Sequence, residues 1–382
     1  MLICVWISKD NRENKTVRIL VTGLGESIGG IGTLLLNIVK CNNMQNNSDK
    51  IQFEFLLPKN SEYKEVFERE GCHCYECPRL FHVVEYYTAL KALFCKEQFD
   101  YVWINNTSKV DIILPLVAKK KGKARIIQHS HGVSCEEHGI KKIVFSWLEH
   151  IFTKKYESLI DIPFACSEAS ADYFYHSKTL RQNCTILGNG IFTERFRFNP
   201  ANRIRIRHEL NMEKGDILVG AVGRLTKVKN YPFLVKLIAA LPSDYKGIIV
   251  GDGEDRLMLN ELIQQYNIGD RFILVGQKDN VEEYLSAMDI FAMPSFNEGM
   301  PFSIIEAQCS GLSCIASVGI SAECDLTGNV AFLDIDRQDE WIKFCLNYIS
   351  GKIDRNSSCE KIKEKGFSIE ETYNSFCKKM ER

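Results

Sequence analysis

Short apolar runs recur along the chain at intervals that leave room for one helix between neighbours. Val17 to Val21 (VRILV), Phe53 to Leu57, Tyr101 to Ile104 and Arg125 to Gln128 read as strands buried on both faces, and a helical pattern fills Glu62 to Glu70. After VRILV come T-G-L-G-E-S-I-G-G-I-G-T and then Leu34, Leu35, Ile38 and Val39, spaced as one apolar helix face. Cys184 to Leu187 is a further strand, whereas Phe192 to Pro200 has no clear periodicity and is the expected crossing between domains. A helix around Ile204 to Leu210 leads into Ile217 to Val222, and the rhythm restarts with Gly247 to Val250, Phe272 to Val275, Ile290 to Met293 and an apolar strand after Gly311. Two helical patterns, Trp341 to Ile349 and Ile369 to Met380, end the chain. The expected fold class is α/β, with two Rossmann-like domains in series: residues 1–195, then 196–365, with 366–382 as a terminal helix.

The glycine loops narrow the chemistry. Gly23 and Gly25 have the spacing of a dinucleotide fingerprint, but Ile28 stands where the third glycine belongs, and in GDGEDR that place is taken by Arg256. A nicotinamide or flavin site is therefore not expected. Gly29, Gly30 and Gly32 read as a loop that lets a substrate approach the backbone closely, or as a plain tight turn.

The most informative stretch is Ile290 to Ser317, IFAMPSFNEGMPFSIIEAQCSGLSCIAS. It predicts a strand, a loop, a helix entered near Ser303 and a second strand. Glu298 lies in the loop and Glu306 in the first helical turn, so both carboxylates face the helix mouth, where free N–H groups and the positive dipole end attract anions. Phosphates at the centre and hydroxyls at both ends describe a nucleotide sugar. The alternative is structural: Ser303 and Glu306 form S-x-x-E, a capping box that closes its own helix. Directly after the strand Ile217 to Val222 comes Gly223-Arg224-Leu225-Thr226-Lys227-Val228-Lys229-Asn230, where a planar guanidinium and a mobile ammonium suit a diphosphate.

The strand RIIQ runs into His129-Ser130-His131-Gly132, at the carboxyl end where parallel sheets bind ligands. Alternation directs one histidine outward, and His131 is the candidate; a histidine bonded to a neighbouring loop is the plain alternative. Cys72, His73, Cys74 and Cys77 cluster, but no second ligand pair stands at zinc-site distance. Asp334-Ile335-Asp336 has D-x-D form away from any glycine loop, as a solvated turn would.

A net charge of −1 gives no reason to expect nucleic acid as a partner. The 15 cysteines lie in apolar runs, as reduced thiols in a cytoplasm do, so no disulfides are expected. Met1 to Ile7 (MLICVWI) lacks a preceding basic segment and is too short for a signal peptide or a spanning helix, which leaves an extra strand or a tail. Lys119, Lys120, Lys121, Lys123 and Arg125, and then Lys141, Lys142, Lys154 and Lys155, flank the helical run IVFSWLEHIF with Phe145, Trp147 and Phe152. That pattern suits an anionic membrane surface as a partner, and equally a core-facing helix with solvated lysines. The expected location is cytoplasmic, peripheral on the inner face of the cell membrane in the first case.

Taken together, GG-I-G-T, the strand-end histidine, N-G-I, G-R-L with K-N, G-D-G and P-S-x-x-E-G-x-P-x-x-x-x-E-A-x-x-x-G resemble the retaining glycosyltransferases of family 4, from Val17 to the C-terminus. EGMPFSIIEAQCSGLSCIAS and ECDLTG are most similar to the bacterial capsular and exopolysaccharide branch. The resemblance implies a GT-B fold: two domains facing across a cleft, acceptor held by the first, nucleotide sugar by the second, and the terminal helix returning to the first. It implies that Arg224 and Lys229 stabilise the departing diphosphate. Glu298 would meet the hydroxyls of the transferred sugar and Glu306 those of the ribose. Backbone N–H groups near Phe302 and Ser303 would cap the phosphate, with Gly223, Gly299 and Met300 beside them, and Gly29 and Gly30 closing over it. Asn189 and Gly190 correspond to the crossing motif, and His131 would lie near the reacting carbon.

Two departures stand out. Pro301 replaces the glycine of E-G-F-G and removes one N–H, although proline suits a first helical position. Phe192 stands where N-G-I-D has its aspartate.

The resulting expectation is a metal- and cofactor-independent retaining transferase. It moves a hexose or N-acetylhexosamine from a nucleotide diphosphate sugar, UDP above all, to a lipid-linked or oligosaccharide acceptor. A sugar-nucleotide epimerase of similar fold and a non-catalytic glycan- or nucleotide-binding subunit are the alternatives.

Overall fold

In the computed structural model, residues 16–26, 29–45, 51–132, 151–348 and 354–380 are described. They divide into two units, one taking the chain up to Gly188 and again from Ile369, the other running Asn189–Ser368. The divisions therefore fall at 188/189 and 368/369 rather than at the 195/196 and 365/366 expected from the sequence.

The first unit is built on seven strands: β1 (Val17–Thr22), β2 (Ile51–Pro58), β3 (His73–Cys77), β4 (Tyr101–Asn106), β5 (Arg125–Ser130), β6 (Ile162–Ala165) and β7 (Thr185–Ile186). Their order is β3-β2-β1-β4-β5-β6-β7, and every pairing is parallel. The second unit repeats the plan with β8 (Ile217–Val222), β9 (Tyr245–Val250), β10 (Phe272–Gly276), β11 (Ile290–Met293), β12 (Ser313–Ser317) and β13 (Val330–Leu333), ordered β10-β9-β8-β11-β12-β13 and again all parallel. Parallel strands covered on both faces need continuous apolar runs, and Ile19, Leu20, Val21, Ile126, Ile127, Ile248 and Ile249 are all fully buried. In each sheet the strand order reverses once, between β1 and β4 and between β8 and β11. At such switch points the loops at the strand carboxyl ends part and leave room for a ligand.

The terminal helix Ile369–Met380 completes the first unit. Its buried residues Ile369, Thr372, Tyr373, Phe376, Cys377 and Met380 repeat at helical spacing. The Phe376 ring stacks on Trp103 at 4.3 Å, and Tyr373 donates to Asn42 Oδ1 at 2.8 Å. One aromatic face of the helix is thus buried against β4.

The structure gives the local detail, which in places departs from the expectations and in places follows them. His73, Cys74 and Cys77 form the edge strand β3, so successive side chains point to opposite faces instead of converging on an ion. The aperiodic crossing is partly helical: Thr193–Phe196 is one turn, and Pro200–Glu209 begins before the expected Ile204 because Asn199 Oδ1 accepts from the N–H groups of Ala201 and Asn202 at 2.9 and 3.2 Å. Asp334 to Asp336 is an exposed turn, with Asp336 N–H on Asp334 Oδ1 at 2.9 Å. Met1 to Ile7, Lys141, Lys142, Phe145 and Trp147 lie outside the described residues. Lys154 and Lys155 are exposed on the helical residues 151–157. No helix among the described residues is long and apolar enough to cross a membrane.

Candidate active site

In the second unit, β8 is followed by Gly223, whose φ of +151° suits only glycine; a Cβ there would stand 2.8 Å from the Tyr231 hydroxyl and 3.2 Å from Lys229 Cε. The chain then passes Arg224, makes a 3₁₀ turn over Lys227–Lys229 and reverses at Asn230, left-handed with φ 51°, before the helix Tyr231–Ala240. This loop is joined to the one after β9. Gly223 N–H donates to Val250 O at 3.0 Å and Leu225 N–H to Asp252 O at 2.9 Å. Cβ atoms at Gly251 and Gly253 would lie 2.0 and 2.4 Å from Gly223 O and Leu225 O. The glycines of GDGEDR therefore serve backbone apposition.

Lys229 folds back to Glu298, its Nζ 3.0 and 2.8 Å from the two carboxylate oxygens, with the side chains 17% and 18% exposed. Glu298 is held by its backbone, its N–H on Gly319 O at 3.2 Å and its C=O accepting from Ser321 N–H at 3.3 Å. The next residues are braced from two sides. Asn189 Nδ2 donates to Met300 O at 2.6 Å, and the Cys324 thiol donates to Gly299 O at 3.2 Å. Gly190, buried beside Asn189, continues that strap.

The helix entered here is Phe302–Cys309. Pro301, extended at φ −69° and ψ 136°, takes the cap position, and no side chain caps the helix. This corrects two expectations. Pro301 precedes the first helical residue, and Ser303 is already helical, so Ser303 and Glu306 form no capping box. The N-terminal amides around Phe302 and Ser303 are left without a side-chain acceptor, which is the condition for anion binding at a helix mouth. Glu306, one turn further in, is partly buried, and its carboxyl is pushed up to about 7. Burial is the main cause; Arg195 opposes it, Glu282 adds to it, and Lys229 opposes it. Lys229 thus pairs with Glu298 and also acts electrostatically on Glu306. Arg224, on the same loop, is 52% exposed and faces Glu254 at 3.5 Å.

In the first unit, Gly29 precedes the helix Gly30–Met44, which likewise has no side-chain cap; the Gly29 N–H donates to the Tyr63 hydroxyl at 2.6 Å. A Cβ at Gly32 would lie 2.0 Å from the Tyr63 ring, so that glycine admits the tyrosine. At the end of β5, His129 is fully buried beside Trp103, whereas His131 is half-buried and has Nε2 3.0 Å from Asn105 Oδ1. Asn105 Nδ2 donates to Thr22 O and Trp103 O at 3.3 and 3.4 Å, which turns Oδ1 toward His131 and makes Nε2–H the donor. Burial pushes the His131 imidazole down to about 3, so the ring is neutral. Sequence reasoning passed over Asn105 and Cys324. Asn105 had a usable signal, a polar residue at the carboxyl end of a parallel strand, the same rule that singled out His131.

Residues 202–330 match the family described as Glycosyl transferases group 1. The chain is 25% identical over 334 residues, 82% of each chain, to the putative glycosyltransferase EpsF of Bacillus subtilis (strain 168). Over 242 residues, 60% of each chain, it is 31% identical to the UDP-Gal:alpha-D-GlcNAc-diphosphoundecaprenol alpha-1,3-galactosyltransferase of Escherichia coli. Its fold is similar to that of Anabaena HepE in complex with UDP and glucose, with a TM-score of 0.76 at 16% identity over 95% of this chain and 99% of the other.

Proposed function

We propose that the chain, of which residues 202–330 match the group 1 glycosyltransferases, is a retaining, metal-independent family 4 enzyme of capsule or exopolysaccharide synthesis. It moves a hexose or N-acetylhexosamine from a UDP-sugar to a lipid-linked saccharide, as a cytoplasmic protein peripheral to the membrane. The lipid-linked acceptor and the uridine base are taken from relatives: one named for UDP-Gal and a diphosphoundecaprenol acceptor, and a fold neighbour bound to UDP.

The observation that carries the reading is the Lys229–Glu298 pair beside the uncapped mouth of Phe302–Cys309. Lys229 brings the charge a diphosphate needs, already desolvated and aimed, while the helix amides supply fixed dipoles. Arg224, exposed on the same loop, adds a second cation. Charge building on the departing diphosphate meets groups that need no reorganisation, and this preorganisation lowers the barrier. Glu298 then accepts from the sugar hydroxyls and Glu306 from the ribose hydroxyls. The resemblance also assigns substrate contacts to Gly29, Gly30 and His131 of the first unit, and these are part of the proposal.

The test is calorimetric screening of a small set of nucleoside diphosphate sugars, followed by turnover with a diphosphopolyprenyl saccharide and NMR assignment of the new anomeric linkage. Expected are one preferred UDP-sugar and an α product from an α donor. An inverted product, free epimerised sugar nucleotide without acceptor, or no binding of any donor overturns the reading.

A further inference from the structure

The first unit leaves apolar side chains uncovered at the carboxyl edge of its sheet. β3 is followed by a turn closed by the His82 N–H on Arg79 O at 2.9 Å, and then by the helix Val83–Lys96. Tyr86, Leu90 and Phe94 are buried at helical spacing and Leu80 packs with them, so one apolar face already serves the core. A second apolar set faces water. Phe81, Val83, Val84 and Tyr87 are 78%, 53%, 79% and 45% exposed, the densest run of exposed large apolar side chains among the described residues. Past the first turn the outer face becomes polar, at Thr88 and Lys91.

We propose that Phe81, Val83, Val84 and Tyr87 form a membrane-docking surface, which inserts into the interfacial layer of a lipid bilayer and sets the edge carrying Gly29 and His131 against it. The inference deepens the proposed function and rests on its lipid-linked acceptor. Three observations support it.

The first is position. All seven strands run parallel, so the turn after β3 shares one edge with the loops after β1 and β5 that lead to Gly29 and His131. β3 lies two strands from β1, about 10 Å at ordinary strand spacing. The intervening loops are joined. Arg79 pairs with Glu26 in the loop after β1, and Glu26 O accepts from the Glu62 N–H in the loop after β2 at 2.9 Å. A bilayer that takes up Phe81 therefore lies beside the loop that leads to Gly29.

The second is size. The four side chains expose roughly 400 Å² of apolar surface, as large as the functional patches of monomeric proteins. Each partner in a stable protein pair buries about 800 Å², twice as much. A turn and a helix tip suit a few side chains entering the boundary between headgroups and acyl chains better than they suit a second copy. Glu85, the one carboxylate between Glu76 and Glu97, faces His82 Nδ1 at 3.2 Å.

The third is where the lysines lie. Lys119, Lys120, Lys121 and Lys123 precede β5, at the opposite, amino edge of the sheet, and Lys119 pairs there with Asp161 at 2.8 Å. They share no edge with Phe81. Docking through the patch is therefore apolar in origin and weakly dependent on salt, unlike the electrostatic attachment that the lysine pattern suggests.

The experiment sediments the full chain, without donor or acceptor, with phosphatidylcholine vesicles and with vesicles that also contain phosphatidylglycerol, at low and high salt. Expected is binding to both, changing by less than about threefold with salt. Phe81→Ser combined with Val84→Ser should weaken it by about tenfold or more. Both side chains are exposed, so the melting temperature should not move. Leu257→Ser, at an exposed apolar residue of the second unit, should bind as wild type does. Tryptophan emission of Phe81→Trp should shift to the blue on vesicles and be quenched by brominated lipid. No sedimentation of the wild type, sedimentation only on anionic vesicles at low salt, undiminished binding of the double variant, or an unshifted Phe81→Trp emission overturns the surface. Self-association that the double variant loses assigns the face to a second copy and overturns it too. Vesicle binding that passes these tests in a chain that transfers no sugar leaves the docking surface standing and removes the proposed function.

Discussion

The Lys229 ammonium reaches both oxygens of Glu298, at 3.0 and 2.8 Å, although the residues lie on different loops, one following β8 and the other following β11. With both side chains mostly withdrawn from water, neither charge is free to wander, and each holds the other where a charged ligand would meet it. Lys229→Ala removes the cation and leaves a desolvated carboxylate. Loss of a charge-assisted bond of about 1.5–3 kcal/mol predicts donor affinity weaker by about 10- to 100-fold, read by calorimetry. Unchanged affinity would remove Lys229 from the diphosphate.

Glu306 predicts a pH dependence with a definite sign. A carboxyl raised from 4.5 to about 7 holds its proton longer in the folded chain than in the unfolded one. Stability is therefore highest at low pH and declines as pH rises from about 4.5 through 7, by at most about 3 kcal/mol. Glu306→Gln should be as stable as wild type near pH 5 and more stable near pH 8, by chemical denaturation. If the ionised carboxyl binds the ribose, donor affinity should increase with pH through 7 in the wild type and stay flat in the variant. A wild-type affinity without that rise would sink the ribose assignment.

His131 should remain a neutral Nε2–H tautomer across the working range, because burial disfavours its cation and Asn105 accepts its proton. Its folded value lies below the ordinary 6.5, so its contribution to stability is present above 6.5 and is lost as pH falls toward 3. Ring ¹⁵N shifts report the tautomer directly. Titration of His131 near 6.5 would contradict the burial argument. Asn105→Asp should raise its pKa by placing a negative charge 3.0 Å from the ring nitrogen.

Phe376→Ala should cost about 3–5 kcal/mol, since the ring is fully buried among Trp103, Phe53 and Phe164 and leaves a cavity lined by aromatic edges. The denaturation midpoint measures it, and a cost below about 1 kcal/mol would mean that the terminal helix is dispensable.

Legibility in the sequence followed the range of the physics. VRILV and Ile369–Met380 announce themselves because strand burial and helix faces are properties of neighbouring residues. The helix mouth at Phe302 was also visible, since a strand, a loop rich in turn formers and an apolar run occur in sequence there. HCYEC was not visible as a strand, because at a sheet edge its polar members face water and its pattern imitates a ligand cluster. The capping box failed for a local reason, proline at 301 claiming the cap before Ser303 could. Asn105 beside His131 and Arg79 beside Glu26 depend on which elements become neighbours in three dimensions, and no local spacing encodes that.

The first unit starts early in the chain yet is finished only by its end, Phe376 closing over Trp103. On the ribosome, the apolar face around Trp103 therefore stays uncovered while all of Asn189–Ser368 is synthesised. The second unit, contiguous in sequence, can fold as it emerges. A stop placed at position 369 would leave that second unit complete and the first unit, with its face around Trp103 uncovered, exposed to chaperones and proteases.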